Sequence, residues 1–341
     1  MRIEKGRFVK KLLIMVLGGA VIIGAGRYLY DHHIAQPQHP SLFQVAHSLT
    51  GQDLVFASNR TGTYNIWSRS LATGKLTDLT KSNADNMNPQ VSPNGRYLVF
   101  YSNRDDQTAQ IFLLDRKHPS KVQQLTYGLS PSYDPVFTTN GKQILFKRAD
   151  QDGNFGQIWS MNTNGSHQVN LTPSLDDTYE AYKPEPLNAT LAAITVRTRQ
   201  GDPNSDELYL LNMVTRQLKR LTFNNVPNWF PAVNPADPKT VAFISKTYSD
   251  DPYDSIYTMN IDGGNRKLVS QKNTETDFDD PSWTPSWTPG GPVIVCISDR
   301  LDHQSFGRYA VFLMGLNGEA ILLDQSPVGQ DLSPILVPAN P

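Results

Sequence analysis

A segment typical of a buried β-strand recurs six times along this chain, and this repeat limits the possible folds more than any other feature. The segment first reads DLVFAS at residues 53–58 and returns every 44 to 53 residues with β-branched and aromatic residues. Its copies are residues 53–58, 97–102, 143–148, 191–196, 240–245 and 293–298. Such units bury their apolar faces by stacking against neighbouring units, so the chain is predicted to form a repeat architecture.

Three further strand-like segments belong to each repeat. The second carries an aromatic residue at one fixed place, namely Trp67, Phe112, Trp159, Tyr209, Tyr257 and Phe312. The third ends in a Leu-Thr pair in four copies, at residues 79–80, 125–126, 171–172 and 221–222. The fourth has a proline near its start, namely Pro89, Pro135, Pro184, Pro231, Pro281 and Pro334. Each repeat therefore holds four short strands.

Six repeats of four strands predict an all-β, six-bladed β-propeller. Asn-Gly pairs that accept positive φ in tight hairpins separate several strands, at residues 94–95, 140–141, 164–165 and 317–318. The last proline segment, residues 333–337, is not followed by copies of the other three segments. The first copies of those three segments, which start at residue 53, are not preceded by a proline segment. We therefore predict that residues 333–337 pair with residues 53–58 and close the ring.

The N-terminus is typical of an export signal. Five basic residues precede an uncharged apolar run over residues 12–26, and Arg27 with Tyr28 and Tyr30 then follows. Positive charge stays in the cytoplasm, so we predict a single-pass inner-membrane anchor over residues 12–30 with the C-terminal domain in the periplasm. The alternative is cleavage at Gly24–Gly26, which would release a secreted protein.

The predicted domains are an anchor over residues 1–30, a linker over residues 31–48 and the propeller over residues 49–341. The linker prediction rests on its prolines, polar residues and four histidines, which we interpret as incidental rather than metal-binding.

Composition excludes several classes of function. Residues 31–341 hold 25 basic and 31 acidic residues, which provides no electrostatic footprint for nucleic acid. The single cysteine, Cys296, lies in an apolar run and is predicted to be a small buried hydrophobe. The nucleophile motif Gly-x-Ser-x-Gly does not occur in the sequence, and no catalytic set is recognisable.

The second repeat carries the most specific motifs. A proline strand is followed by SPNGR (92–96), YLVFYSNR (97–104), QIFLLD (110–115) and Leu125-Thr126. This pattern resembles the repeat of TolB-type propellers, and related repeats occur in tricorn-type and prolyl-oligopeptidase-type proteases. The resemblance covers roughly residues 50–338. It implies a propeller that docks a protein partner at one mouth of its channel; we expect neither the small α/β domain of TolB proteins nor the hydrolase domain of the peptidases.

The residues just before the six prolines are predicted to ring that mouth. Aromatic residues among polar ones are typical anchors of protein interfaces. The alternative is that these aromatics pack between blades and the acids cap turns. The candidate partner-binding residues are Asn88, Tyr133, Asp134, Tyr182, Lys183, Trp229, Phe230, Asp279 and Asp280.

Two other patterns carry weaker functional hypotheses. Arg60, Arg104 and Arg300 end Ser-Asn-Arg or Ser-Asp-Arg motifs; we favour pairing with nearby acids over an anion-binding cluster. Asp150–Asn154 resembles the start of a calcium loop, but Met161 stands where the closing glutamate would fall. Acid pairs at residues 176–177 and 250–254 are open to the same two interpretations, a calcium site or a solvated turn. We predict no cofactor.

The leading functional hypothesis is a membrane-anchored periplasmic interaction module of the cell envelope, which docks a protein or envelope-polymer partner at the mouth. The alternative is a carbohydrate-active hydrolase or lyase that uses mouth acids, for example Asp134 with Asp280.

Overall fold

The structure is a computed structural model that describes residues 40–104, 108–153, 155–175, 179–199, 202–270, 277–284, 286, 288–300, 309–327 and 329–339. The predicted anchor, residues 12–30, lies outside these ranges. Among the helices within them, none has both the length and the apolar character that a membrane span requires.

Within the described residues, the strands form six four-stranded antiparallel sheets, which confirms the six-bladed propeller. Blade 1 contains β1 (Gln52–Ser58), β2 (Asn65–Ser70), β3 (Leu76–Asp78) and, from the C-terminus, β24 (Asp331–Pro338). Blade 2 contains β4 (Asn86–Val91), β5 (Tyr97–Ser102), β6 (Gln110–Asp115) and β7 (His118–Gln124). Blade 3 contains β8 (Ser132–Phe137), β9 (Gln143–Ala149), β10 (Gly156–Asn162) and β11 (Val169–Asn170).

The remaining three blades follow the same order from the inner to the outer strand. Blade 4 contains β12 (Glu180–Pro186), β13 (Leu191–Arg197), β14 (Asp206–Asn212) and β15 (Leu218–Arg220). Blade 5 contains β16 (Asn228–Val233), β17 (Thr240–Ser245), β18 (Ser255–Asn260) and β19 (Lys267–Leu268). Blade 6 contains β20 (Phe278–Trp283), β21 (Ile294–Ser298), β22 (Ala310–Met314) and β23 (Ala320–Asp324).

The ring closes as predicted. Strand β24 pairs antiparallel with β1, with Val337 opposite Asp53 and Ile335 opposite Val55. The inner strand of blade 1 therefore comes from the C-terminus, and the two ends of the propeller are joined by backbone hydrogen bonds.

The core is divided among the six interfaces between neighbouring blades, and each interface holds its own apolar cluster. Between blades 2 and 3, for example, Val99 and Ile111 pack against Ile144 and Phe146. Cys296 is fully buried in the cluster between blades 5 and 6. Each blade thus buries its faces only by contact with its neighbours, as the repeat required.

The recurring Leu-Thr pair has a clear structural role. The threonine Oγ1 accepts the backbone N–H of the first apolar residue in the neighbouring strand, for example Ile111 N to Thr126 Oγ1 at 2.8 Å. The same bond occurs in blades 1, 3 and 4, to Thr80, Thr172 and Thr222. The hydroxyl satisfies a buried amide where the outer strand ends, because that strand offers no further carbonyl there.

Residues assigned to the linker in the sequence analysis instead include a short helix, α1 (Leu42–Ser48). Ser41 and Gln44 form a capping box at its start. Leu42 and Val45 are buried in the cluster between blades 1 and 6. The second half of the predicted linker is therefore ordered, since an apolar pair at helical spacing fills the space between two blades.

Candidate functional site

The mouth of the channel is built by a repeated distortion of the inner strands. The residue before each proline has a positive φ of 44–52°, and the pairing with the next strand shifts register there. A bulge with one left-handed residue redirects that side chain. In this way six side chains converge at the mouth, which we call the collar: Asn88, Asp134, Lys183, Phe230, Asp280 and Ser333.

Hydrogen bonds link five collar residues into a closed ring. Asn88 Nδ2 donates to Asp134 Oδ1 at 2.6 Å, and the backbone N–H of Lys183 donates to Asp134 Oδ2 at 3.3 Å. Lys183 Nζ lies 3.4 Å from Asp280 Oδ1. Ser333 then donates its backbone N–H to Asp280 Oδ2 at 3.0 Å and its Oγ to Asn88 Oδ1 at 2.7 Å. The collar therefore ties blades 1, 2, 3, 4 and 6 together.

Lys183 is the cation of the collar. Its Nζ lies 4.4 Å from the centre of the Phe230 ring, the sixth collar member, and faces Asp280. Burial disfavours the charged ammonium, but the carboxylates of Asp280, Asp134 and Asp279 outweigh that cost and raise the pKa of Lys183. Lys183 consequently stays protonated at neutral pH and neutralises part of the acidic mouth.

Two further acids lie beside the collar. Burial, reinforced by the nearby charge of Asp280, raises the pKa of Asp279 well above its ordinary value. Glu185 lines the channel below Lys183, and burial raises its pKa to about 7, although the N–H of Val233 and the charge of Lys183 act in the opposite direction. The channel encloses a cavity of about 260 Å³. Its inner wall therefore contains a carboxyl group that titrates near neutral pH.

The aromatic residues predicted at the mouth are more buried than side chains that anchor a partner protein would be. Tyr182 is buried and packs edge-to-face against Phe230, with ring centroids 6.0 Å apart. Tyr133 is half-buried and packs in the same way against Tyr101. Trp229 is also half-buried. These side chains contribute mainly to packing around the collar, while the predicted acids and Lys183 form the collar and its surroundings.

The most exposed apolar side chains of the mouth were missed by the sequence analysis. Tyr127 and Leu129 lie in the connection from β7 to β8, Phe223 in that from β15 to β16, and Tyr248 between β17 and β18. All four are more than half exposed. Each inner strand begins at the mouth, and the strands within a blade alternate in direction. The connections that lead into β8, β16 and β18 therefore lie at the mouth end of their blades. Tyr127 and Phe223 each directly follow the recurring Leu-Thr pair, so the residue after that pair was the available signal. Leu129 and Tyr248 lie in loops that differ between the repeats.

Two of these side chains are held in place. The Tyr127 hydroxyl donates to the carbonyl of Gln124 at 3.1 Å. The Arg220 guanidinium lies 4.8 Å from the centre of the Phe223 ring. Exposed aromatics with restricted rotamers lose little entropy on binding, which suits them to recognition.

The motif arginines have structural partners. Arg60 donates to Asp324 at 2.7 Å and to Asp331 at 2.8 Å, so it links blade 1 to the end of blade 6. Arg104 donates to the Asn86 amide oxygen and lies over Phe100 and Phe112. Arg300 lies over Phe312. The predicted pairing with acids is therefore confirmed for Arg60. The feature that all three arginines share is a position over aromatic rings of their own blade.

The structure adds nothing in favour of calcium. Asn154 and residues 176–177 lie outside the described residues. Asp254 belongs to a buried acidic group, where burial raises its pKa to about 7, and its backbone N–H donates to Asp277. Within the described ranges, no set of three or more His, Cys, Asp or Glu side chains is arranged to hold a metal ion.

Comparisons with known proteins agree with this architecture. Residues 38–188 match the family model of the TolB beta propeller domain. The Tol-Pal system protein TolB of Francisella tularensis subsp. holarctica is 24% identical over 263 residues, which are 75% of this chain and 57% of that protein. An uncharacterized peptidase, YuxL of Bacillus subtilis, is 24% identical over 202 residues, which are 58% of this chain and 28% of that protein.

Among solved structures, TolB from Acinetobacter baumannii superposes with a TM-score of 0.66 at 17% identity, covering 85% of this chain and 67% of that one. The chain spans 28–57% of the length of the curated relatives it matches, so the likeness concerns the propeller. The repeat, the ring closure and the family match lead to one conclusion: this chain carries a six-bladed propeller, of which residues 38–188 match the TolB beta propeller domain.

Proposed function

We propose that this chain is a protein-interaction module of the cell envelope, which docks a protein partner at the mouth of its propeller. The observation that carries the proposal is the set of exposed apolar side chains around the mouth, Tyr127, Leu129, Phe223 and Tyr248. Three of the four are aromatic, and aromatic side chains are enriched at protein interfaces. The family supports the same conclusion, because TolB is named as a protein of the Tol-Pal system.

The collar determines the chemistry at the centre of this surface. The carboxylates of Asp134 and Asp280 flank a single ammonium, that of Lys183, and raise its pKa, so carboxylates outnumber the ammonium at the entrance. Complementary charge favours fast and specific encounter. A partner that presents basic or hydrogen-bond-donating side chains to the channel, and apolar side chains to the outer loops, would complement this mouth.

The proposed module works without catalysis. Both carboxylates that could act as a glycosidase pair are engaged: Asp134 accepts from Asn88 and Lys183, and Asp280 accepts from Ser333 and Lys183. A substrate would have to displace these hydrogen bonds to reach either carboxylate. Turnover of an envelope glycan by the full chain, lost in Asp280→Asn, would contradict this part of the proposal.

Anchoring in the inner membrane through residues 12–30, with the propeller in the periplasm, completes the proposal and rests on the basic and apolar pattern of the sequence. Cell fractionation with mass analysis of the N-terminus tests it. Recovery in the membrane fraction with residues 12–30 intact is the expected result. A mature chain that starts after Gly26 would show secretion instead.

Docking at the mouth is tested by crosslinking in the native cell, followed by mass spectrometry of the captured proteins. Tyr127→Ala combined with Phe223→Ala should lose the specific partner, because both side chains are exposed anchors whose removal leaves the core intact. The matched control is Val214→Ala combined with Leu316→Ala, which truncates equally exposed apolar side chains on hairpins at the other end. Equal loss of the partner in both variants, or in neither, would refute docking at the mouth.

A further inference from the structure

A second cavity, of about 400 Å³, lies between blades 2 and 3 at the end opposite the mouth. Three hairpin turns border it: those between β4 and β5, between β8 and β9, and between β10 and β11. Its volume falls within the range of about 300–1,000 Å³ that is usual for small-ligand sites. All of its lining residues are described: Ser92, Pro93, Asn94, Tyr97, Leu113, Gln123, Phe137, Asn140, Gly141, Thr163 and Asn164.

The polar groups of this cavity are uncharged, and three of them have a fixed orientation. Asn94 Oδ1 accepts from Ser92 Oγ at 2.7 Å, Asn140 Oδ1 from Thr138 Oγ1 at 2.9 Å, and Asn164 Oδ1 from Ser166 Oγ at 2.7 Å. Each amide oxygen is thus used by its own turn. The three asparagines are exposed at the rim, and within the described part of the chain their Nδ2 groups donate to no protein acceptor, which leaves them open to solvent or to a ligand. The border of the cavity therefore presents donors to a ligand that supplies acceptors.

The floor of the cavity is apolar. Phe137 is buried, and the side chains of Leu113 and Tyr97 are half-buried beside it. A sugar ring has the matching shape: an apolar C–H face, and hydroxyl or acetamido oxygens around its edge. Sites of this kind combine an apolar surface with a few placed polar groups that determine orientation.

Other classes of ligand match the cavity less well. A phosphate or carboxylate ligand would call for a basic residue, and of the lining residues, all of them described, none is charged.

The cavity is also preformed. A Cβ on Gly165 would come within 2.6 Å of the carbonyl oxygen of Leu125, and one on Gly141 within 3.3 Å of Pro93. The turns of blade 3 therefore rest directly on blade 2 and hold the border in place. A rigid site loses less entropy on binding than a flexible one.

We propose that this inter-blade cavity binds an uncharged, N-acetylated oligosaccharide, with the ring against Tyr97 and Leu113 and its acetamido and hydroxyl oxygens on Asn94, Asn140 and Asn164. The cavity shares no lining residue with the collar, and this proposal does not rest on the proposed function.

The test is titration of the full chain with triacetylchitotriose, followed by isothermal calorimetry and by NMR shifts. We expect saturable binding that weakens about tenfold or more in Asn140→Asp combined with Asn164→Asp, since each lost donor removes about a factor of ten. These substitutions keep the oxygen that each turn uses, so folding is preserved. The fully deacetylated glucosamine trimer should bind at least tenfold more weakly, because it lacks the carbonyl acceptors.

The matched control is Asn317→Asp, the same change in an Asn-Gly turn of blade 6 that does not line the cavity. It should bind triacetylchitotriose as the unmodified chain does. No binding up to about 10 mM, the weakest affinity such a site would have, would overturn the proposal. Equal weakening by Asn317→Asp, or equal affinity for the glucosamine trimer, would overturn it as well.

Discussion

The two ends of this propeller are held together in different ways. At the mouth, side chains join blades that are far apart in sequence: Ser333 bonds Asn88, 245 residues away, and Arg60 bonds Asp324, 264 residues away. At the opposite end, the Asn-Gly turns are closed by local polar contacts: Asn94 bonds Ser92 and Asn140 bonds Thr138, each two residues away. One turn residue there, Arg116, adds a long-range bond to the carbonyl of Pro338, 222 residues away.

This difference has a consequence for stability and for function. The mouth can form only when the ring has closed, because its contacts need blades 1 and 6 to meet. The hairpins of the opposite end have their turn chemistry within a single unit. Changes at the mouth should therefore affect the whole ring, whereas changes in the turns should act locally.

The largest expected effect concerns two arginine–aspartate pairs. The Arg60 side chain is 9% exposed and its partner Asp331 is fully buried, whereas Arg96, paired with Asp115 in a turn at the other end, is 43% exposed. Arg60→Ala should lower the free energy of unfolding by about 3 kcal/mol, because it leaves the buried carboxylate of Asp331 without an ionic partner, whereas Asp324 keeps Arg69. Arg96→Ala should lower it far less, because water screens this exposed pair. Denaturant unfolding measures both, and equal losses would show that the two ends do not differ.

A pH effect should come next in size. Burial raises the pKa of Glu185 from 4.5 to about 7, so between these values the folded chain binds more protons than the unfolded chain. The free energy of unfolding should therefore fall as pH rises from 4.5 to 7, by up to about 1.4 kcal/mol per pH unit from this group. Asp254, whose pKa burial also raises to about 7, acts in the same direction.

Glu185→Gln isolates that contribution. Unfolding measured from pH 4.5 to 7 should show a shallower slope in this variant, since the neutral amide does not titrate. The exposed Glu319, in a turn at the opposite end, supplies the control, and Glu319→Gln should keep the original slope. An unchanged slope in Glu185→Gln would mean that Glu185 titrates in the folded chain as it does in water.

The smallest expected effect compares two threonines. Thr126 Oγ1 at the mouth end accepts the buried N–H of Ile111 and donates to Gln110 Oε1 at 2.6 Å. Thr126→Val should cost about 1–2 kcal/mol, because it leaves that amide unsatisfied. Thr163 lies in a turn of the opposite end, and Thr163→Val should stay within about 0.5 kcal/mol. Thermal unfolding of both variants measures the difference. A Thr126→Val variant as stable as the unmodified chain would contradict the role proposed for the threonine of the Leu-Thr pair.

Most of the fold was predictable because its signals are local. Alternating apolar residues, Asn-Gly turns and the position of the prolines each depend on a few neighbouring residues, and their repetition indicated six blades and the pairing of residues 333–337 with β1. Helix α1 was missed, since seven residues near two prolines resemble a tether until Leu42 and Val45 meet the cluster between blades 1 and 6.

The candidate site was predictable only in part. Asn88, Asp134, Lys183 and Asp280 could be placed at the mouth because each precedes a repeated proline. Their mutual bonds, the burial of Tyr182 and the exposure of Tyr127 and Phe223 could not, because these depend on the angle between neighbouring sheets.

The sequence alone determined the number of blades, the strand order and the way the chain ends join, since strand alternation and turn chemistry are encoded within each repeat. Only the tertiary structure decided which side chains meet across blades: the collar, the pair of Arg60 with Asp331, and the cavity between blades 2 and 3. Such contacts depend on distances between separate sheets, and those distances are set when the six interfaces pack together.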